Sequence, residues 1–474
     1  MIMCITQNIS QALQAEQSKL NKYGMMALST ALSLYLGFFV NAGVAAYWIL
    51  SNLMSIAQMY ILNAVISPKK YIDYAALEES KKKLKAIEGS EKSMDRELKK
   101  RQHDDYKRFF SITNKHVVFY SEQSGFYKYF KGLIEYLISH SNITIHYVTS
   151  DPNDVIFDIA KEKKQIKPYF IGENKLISLF LKMDAKIVVM TMPDLDNFHI
   201  KRSYVSSDVE YIYMDHGLSS INMLTRKGAV DHFDTVFCAG QHIIDEIKAT
   251  EEHYGLPHKN LIAYGYGFMD GLIKICSTDP TIASGDFILL APSHQKDNIL
   301  DSCLEPVIEG LKSTGYKVIL RPHPQYIRRY PDKWKRISAQ YSSDPQVITE
   351  SDFSSNTSIY QAALVVTDWS NIGYEYSFST LRPVMFVNTP MKVINPDYKE
   401  IGVVPIDLSL RSEIGIEVTG RSADEVAEAA EKLLKTKCFS AEQISEARDR
   451  SLFNVGKSDE VGGKYILSRL SQKK

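Results

Sequence analysis

Beyond about residue 115 the chain consists of short β-rich runs that alternate with helical stretches, and it runs through this pattern twice. In the first set HVVFY (116–120) leads into a helical stretch to about Ser139, followed by ITIHYVT (143–149), AKIVVMTM (185–192), EYIYMD (210–215) and DTVFCAG (234–240). After a turn-rich stretch near 276–285 the alternation restarts with DFILLAP (286–292), a helix, YKVILRPHP (316–324), QVITE (346–350), ALVVTD (363–368) and PVMFVN (383–388). Strands separated by helices build parallel sheets joined by right-handed crossovers. The pattern therefore predicts an α/β architecture of two Rossmann-like domains, 114–280 and 281–474, facing a cleft. At 474 residues the chain is also too long for one ordinary core.

The region ahead of these domains has a different character. Residues 23–40, YGMMALSTALSLYLGFFV, carry no charge, and after Asn41-Ala42-Gly43 a second uncharged run, VAAYWILSNLMSIAQMYILNAVI, ends at Ile66. As helices these runs would be about 27 Å and about 35 Å long, which predicts a transmembrane helical hairpin over 1–68. Lys19 and Lys22 precede it and Lys69 and Lys70 follow it, so both ends are expected in the cytoplasm. Asn41, Ser51, Asn52, Gln58 and Asn63 dilute its hydropathy. Residues 69–113 are dense in Lys, Arg and Glu, and Ala75, Leu77, Leu84, Ile87, Met94 and Leu98 mark a weakly amphipathic, charged linker helix.

Composition excludes some function classes. Lys+Arg and Asp+Glu both number 56, so no basic field favours nucleic acid. The five cysteines (Cys4, Cys238, Cys276, Cys303 and Cys438) are scattered and odd in number, without metal-ligand spacing or a disulfide framework.

In parallel sheets ligands meet the carboxyl ends of strands. Three such ends carry polar groups: His216-Gly217-Leu218-Ser219-Ser220 after EYIYMD, Arg321-Pro322-His323-Pro324 after YKVIL, and Asp368-Trp369-Ser370-Asn371 after ALVVT. Gly217 permits close approach to the His216 loop, and two prolines fix the backbone around His323. Asp368, Ser370 and Asn371 stand at a helix start, where their side chains either cap the helix or leave its N–H groups to a phosphate.

Two resemblances follow from these residues. AGVAAYWILSNLMSIAQMYILNAVISPKKYIDYAALEESKKKL, with Tyr47-Trp48, Ser51-Asn52 and Pro68-Lys69-Lys70, resembles the C-terminal end of YidC-type membrane insertases. It lacks the family's earlier helices, which implies an anchor rather than an insertase. From about 115 to 440 the chain resembles the CDP-glycerol glycerophosphotransferases of teichoic-acid-type polymer synthesis, which adopt the GT-B architecture. The resemblance rests on Asp215-His216-Gly217, Arg321-Pro322-His323-Pro324, Thr367-Asp368-Trp369-Ser370-Asn371 and Phe119-Tyr120-Ser121. Asp215 replaces the family's usual aromatic, and Leu218-Ser219-Ser220, Gly267-Phe268-Met269-Asp270 and Ala291-Pro292-Ser293-His294 also depart from its pattern. These departures bear on the acceptor and the polyol rather than on the fold.

The resemblance implies attack of an acceptor hydroxyl on the donor phosphate, with CMP leaving. His216 would serve as general base and His323 would stabilise or protonate the leaving phosphate. Arg321, Asp368, Ser370 and Asn371 would bind the donor, with Glu375 towards its ribose. The expected partners are CDP-glycerol, a lipid-linked or glycan acceptor and the membrane, with the catalytic domains on the cytoplasmic side. No Asp-x-Asp of the kind that carries a divalent metal stands out, nor a Walker loop or zinc spacing, so no cofactor is expected, with Mg²⁺ on the diphosphate left open. Two alternatives stand beside this reading: a GT-B glycosyltransferase using a sugar nucleotide or CDP-ribitol, and a non-catalytic, insertase-derived membrane adaptor.

Overall fold

The computed structural model describes residues 40–65 and 95–472, except 199, 280, 281, 283, 284, 352, 354, 355 and 437, together with 27, 30 and 31. The chain divides into two units, Met1–Ser93 and Met94–Lys474.

In the second unit seven parallel strands form the first sheet, in the order β3-β2-β1-β4-β5-β6-β7. They are β1 Lys115–Ser121, β2 Ile145–Thr149, β3 Ile166–Phe170, β4 Ala185–Met190, β5 Glu210–Met214, β6 Thr235–Cys238 and β7 Asn260–Ala263. Six more build the second sheet: β8 Phe287–Leu290, β9 Lys317–Leu320, β10 Val347–Thr349, β11 Leu364–Thr367, β12 Val384–Val387 and β13 Gly415–Val418, all parallel, in the order β10-β9-β8-β11-β12-β13. In each sheet the strand order reverses once, between β1 and β4 and between β8 and β11, which is where such sheets open a crevice for ligands. Central strands such as β4 and β11 are buried almost along their whole length because helices cover both faces, with Lys186 of β4 half-buried.

The three strands that the sequence pattern does not predict, β3, β7 and β13, all lie at sheet edges. An edge strand needs a weaker apolar run, and β3 even contains Pro168, which only an edge tolerates. The expected linker helix is also corrected. Its second half, Arg96–Phe110, is part of the first domain and covers the open edge beside β3. Asp105 accepts the Phe170 N–H at 2.9 Å and Gln102 accepts that of Gly172 at 2.9 Å, so side chains do the work of a further strand. Phe109 is fully buried beneath, with the Lys115 ammonium over its ring at 4.3 Å.

The last helix, Ser458–Gln472, returns to the first domain and packs along the helix Tyr127–His140. Its Tyr465 hydroxyl donates to the buried Glu210 at 2.6 Å, and Arg469 donates to the same carboxylate at 2.8 Å. Gly462 and Gly463 let it approach closely: a Cβ at Gly463 would run into the Tyr136 ring.

In the first unit the second uncharged run forms a 24-residue helix, Ala42–Val65, with Tyr47, Leu50, Met54, Tyr60 and Ile61 exposed. No helix among the described residues is long and apolar enough to cross a membrane, which corrects the expected span over this run. Ser51, Asn52, Ser55, Gln58 and Asn63 account for the shortfall. Most of the first run, the Pro68-Lys69-Lys70 element and the first half of the linker lie outside the described residues. Among the described residues Cys238, Cys276, Cys303 and Cys438 are free thiols.

Gly463→Val should separate the last helix from Tyr127–His140, with a cost of about 1–3 kcal/mol from overpacking. A clear drop in the urea midpoint is the expected result, and an unchanged midpoint would mean that the helix does not pack as described.

Candidate active site

The first wall of the cleft is built at the end of β5. Asp215 and His216 leave the sheet there, and Ser220 caps the short helix Ile221–Leu224 that follows. The Asp215 Oδ1 accepts the His216 backbone N–H at 2.7 Å and stands 3.5 Å from the His216 Nδ1, while the Tyr213 hydroxyl donates to it at 3.3 Å. Phe126 and Tyr129, from the chain after β1, place their rings 5.4 and 5.6 Å from the imidazole. Beside them the Lys128 ammonium lies over Tyr129 and Phe268, 4.6 Å from the latter ring.

The second wall comes from β8 and β9. Leu290 pairs with Leu320, so Ala291–His294 and Arg321–His323 leave the sheet side by side. The His323 and His294 rings are 4.4 Å apart between centroids. His323 also caps the helix Pro324–Arg329: its Nδ1 accepts the Gln325 N–H at 3.0 Å. That bond puts the proton of the neutral ring on Nε2.

The two walls meet at the start of the helix Ile372–Thr380. The Asn371 Oδ1 accepts the Leu218 N–H at 3.2 Å and the Ser219 hydroxyl at 2.8 Å. Gly217 is what makes room for it, because a Cβ there would occupy the space of the Asn371 amide. Alongside, the Tyr266 hydroxyl lies within hydrogen-bond distance of the His216 carbonyl (3.0 Å) and the Glu375 Oε1 (3.2 Å). The Ser220 N–H donates to the buried Asp407 of the second domain at 2.7 Å.

Electrostatics keep the imidazoles neutral. Burial lowers His216 below its ordinary value; Asp215 opposes this, and Lys392 and Lys128 add to it. His323 falls to about 4 through burial, reinforced by Lys392, Lys128, Arg329 and His216. Burial also lowers Lys392 itself, against the pull of Asp407 and Asp368. Glu375 is raised by burial, with Lys128 and the Tyr266 hydroxyl pulling it back. The result is a cleft with cations on both walls and neutral rings between them.

The expected site residues therefore separate. His216, His323, Asn371 and Glu375 converge on the cleft. Arg321 is buried and its guanidinium is engaged by Glu350 at 3.0 Å and Ser358 at 2.8 Å. Asp368 is buried too, accepting the Ser293 N–H at 2.7 Å and the Ile299 N–H at 3.3 Å, so it fastens the β8 loop to β11. The Ser370 hydroxyl lies 3.5 Å from the Ile372 N–H at the helix start, whereas Asn371 makes no cap and reaches across the cleft. Sequence reasoning missed Lys128, His294, Arg329 and Lys392. The strand-end rule reaches His294 after β8 and Lys392 after β12, although neither stands in a conspicuous motif. The chain also contains an Asp-x-Asp, Asp194-Leu195-Asp196, after β4: Asp194 pairs with Arg226 at 3.0 Å and Asp196 lies 3.9 Å from the Lys201 ammonium.

Comparisons with known proteins agree with this architecture. The family described as CDP-Glycerol:Poly(glycerophosphate) glycerophosphotransferase matches residues 103–393, more than half of the chain; the insertase-like stretch precedes the match. Among solved structures the chain is similar to UDP-GlcNAc 2-epimerase of Methanocaldococcus jannaschii, solved with UDP-GlcNAc and UDP. Identity is 15% over 76% of this chain and 100% of that one, with a TM-score of 0.52. It is similar also to the wall teichoic acid polymerase TagF, at 14% identity over 76% of this chain and 89% of that one, with a TM-score of 0.49. The GT-B-like α/β fold is thus shared with the first of these two structures. No curated protein matches the chain.

The Gly217–Asn371 contact is open to a double-mutant cycle. Gly217→Ala should cost about 1–3 kcal/mol by overpacking, and Asn371→Ala about 1–3 kcal/mol for two lost hydrogen bonds. In the double variant the clash has no partner, so its cost should fall well below the sum of the single costs. Strict additivity in urea unfolding would show that the two residues do not touch.

Proposed function

The chain belongs to the CDP-glycerol:poly(glycerophosphate) glycerophosphotransferase family, and from that premise we propose that it transfers glycerol phosphate from CDP-glycerol to an acceptor hydroxyl, releasing CMP. The observation that carries the reading is the pair of neutral imidazoles on opposite walls, one of them, His323, with its proton fixed on Nε2. Transfer of a phosphoryl-linked group needs a base on the acceptor side and positive or hydrogen-bonding groups on the donor side. His216 takes the proton of the acceptor hydroxyl as its oxygen attacks the phosphorus bearing glycerol. The bond from that phosphorus to the CMP oxygen breaks, and the His323 Nε2–H donates to the charge that develops there. Lys128 and Lys392 supply positive potential from the two walls.

In this reading Asp215 opposes the effect of burial on His216 and stabilises the imidazolium formed in the reaction. Asp368 and Arg321 act on the donor side indirectly, by fixing the β8 and β9 loops, and Glu375 by holding Tyr266. Lipid-linked or glycan hydroxyls are the acceptor class we propose. The domains then work at the cytoplasmic side of the cell membrane, a placement supported by the lysine-flanked uncharged stretch 23–66 and the exposed apolar side chains of Ala42–Val65. The insertase-like element fits a membrane-surface anchor better than a crossing.

Release of CMP from CDP-glycerol, but not from CDP-ribitol or UDP-sugars, is the expected assay result; absence of turnover with CDP-glycerol would refute the proposal. His216→Ala should lower kcat by about 10²–10⁴ while the protein stays folded. The sign of the pH dependence follows from burial: a base whose pKa is lowered stays active in mild acid. The acidic limb of kcat should therefore lie below pH 6.5, the ordinary histidine value.

A further inference from the structure

We propose that His294 is a second donor-side imidazole, which with His323 and Lys392 holds the diphosphate of the nucleotide and takes up a proton when it binds. The inference rests on the function proposed above and deepens it.

The geometry comes from the sheet. β8 and β9 end in register, so the two histidine-bearing loops emerge together and their rings meet at 4.4 Å, tilted by 39°. The His294 loop is held from several sides. Asp368 accepts the Ser293 N–H, and the Asn298 amide donates to the Ser293 and Gln295 carbonyls at 2.9 Å each. The Gln295 amide donates to the Pro390 carbonyl at 2.8 Å, which ties this loop to the one carrying Lys392. A ring on so fixed a loop, packed on a residue of the donor wall, is pre-organised for a ligand rather than left in solvent.

The charged and titratable groups facing this pair call for an anion. Burial, reinforced by His323, Lys392 and Arg329 facing the ring, holds His294 down to about 3. His323 faces Lys392, Lys128, Arg329 and His216, all acting in the same direction. The carboxylates nearby, Asp368 and Asp407, act on Lys392. At neutral pH the pair is therefore uncharged, first because it is buried, and the cations around it act in the same direction. A diphosphate reverses this balance: its negative charge offsets the lysine and arginine and favours the imidazolium. Binding then brings one proton from solution onto the pair.

That proton has a use in the reaction. The acceptor hydroxyl gives its proton to His216, the new bond to phosphorus forms, and the bond to the CMP oxygen breaks with its electron pair. The leaving oxygen takes the proton stored on the His294–His323 pair, and His216 later releases its own to solvent. The pair returns to the neutral state that its surroundings favour, which promotes loss of CMP.

The test is calorimetric titration of CDP-glycerol, and separately of CDP, into the full chain in buffers of different ionisation heat at one neutral pH. The wild-type protein should take up close to one proton with either ligand. His294→Gln should bind at least tenfold more weakly and lose most of the uptake at an unchanged melting temperature. His294→Lys, which supplies a fixed charge, should recover affinity without recovering uptake. Unchanged affinity and uptake in His294→Gln would overturn the proposal. Wild-type protein that binds CDP but not CDP-glycerol would remove the glycerol donor, leaving His294 to be judged on CDP; binding of neither ligand would overturn both readings.

Discussion

The two halves of the cleft are joined beside His216 by the side-chain oxygen of Asn371. The Asn371 Oδ1 takes hydrogen bonds from the Leu218 N–H and the Ser219 hydroxyl, and it reaches them because position 217 has no side chain. The His216 loop belongs to one domain and the His323 loop to the other, and this contact joins them next to the two rings, while the Asn222 amide, which donates to the Tyr398 carbonyl at 2.7 Å, adds a bond between the domains further out. The Tyr266 hydroxyl between His216 and Glu375 and the Ser220–Asp407 bond hold the same junction from the sides. Catalytic geometry must hold to about half an ångström to be useful. Here a residue at a helix start, where it would ordinarily cap, is diverted to set that distance.

The electrostatic design follows from the same enclosure. Burial alone would make the cleft apolar in effect, and it lowers all three histidines. Of the three, His216 has a carboxylate beside it to offset the loss, and in the mechanism we propose it is the residue that becomes cationic while an acceptor is deprotonated. On the wall carrying His294 and His323 the proposed mechanism leaves the offset to the ligand. Two neutral rings among cations form a site that is complete only when a polyanion is present, and this favours a nucleoside diphosphate over neutral competitors.

Much of this could be read from residues alone, and the limits have physical causes. The central strands announce themselves because both faces are covered and their apolar runs are continuous. β3, β7 and β13 do not, because an edge needs less burial and, for β3, because Pro168 argues against a strand. The strand-end rule placed His216, His323 and Asn371 correctly at the carboxyl edge. It could not distinguish Arg321 from His323, since both leave β9 together and only the distant Glu350 and Ser358 decide which way the guanidinium turns. Asp368 shows the same limit, with partners some 70 residues earlier. The charged helix Arg96–Phe110 looked like a solvated linker because its contacts to β3 are polar, with Phe109 alone fully inserted.

The returning last helix has a consequence for how the protein comes into being. Glu210 opens β5 of the first sheet as a buried carboxylate, and two of its partners, Tyr465 and Arg469, leave the ribosome 255 and 259 residues after it. Domains generally fold in the order of their synthesis. This one cannot finish so early: until the helix Ser458–Gln472 arrives, the first domain holds an acid whose cation is missing and an apolar helix face without its cover. The nascent first domain must therefore wait, incompletely packed, while the whole of the second is made.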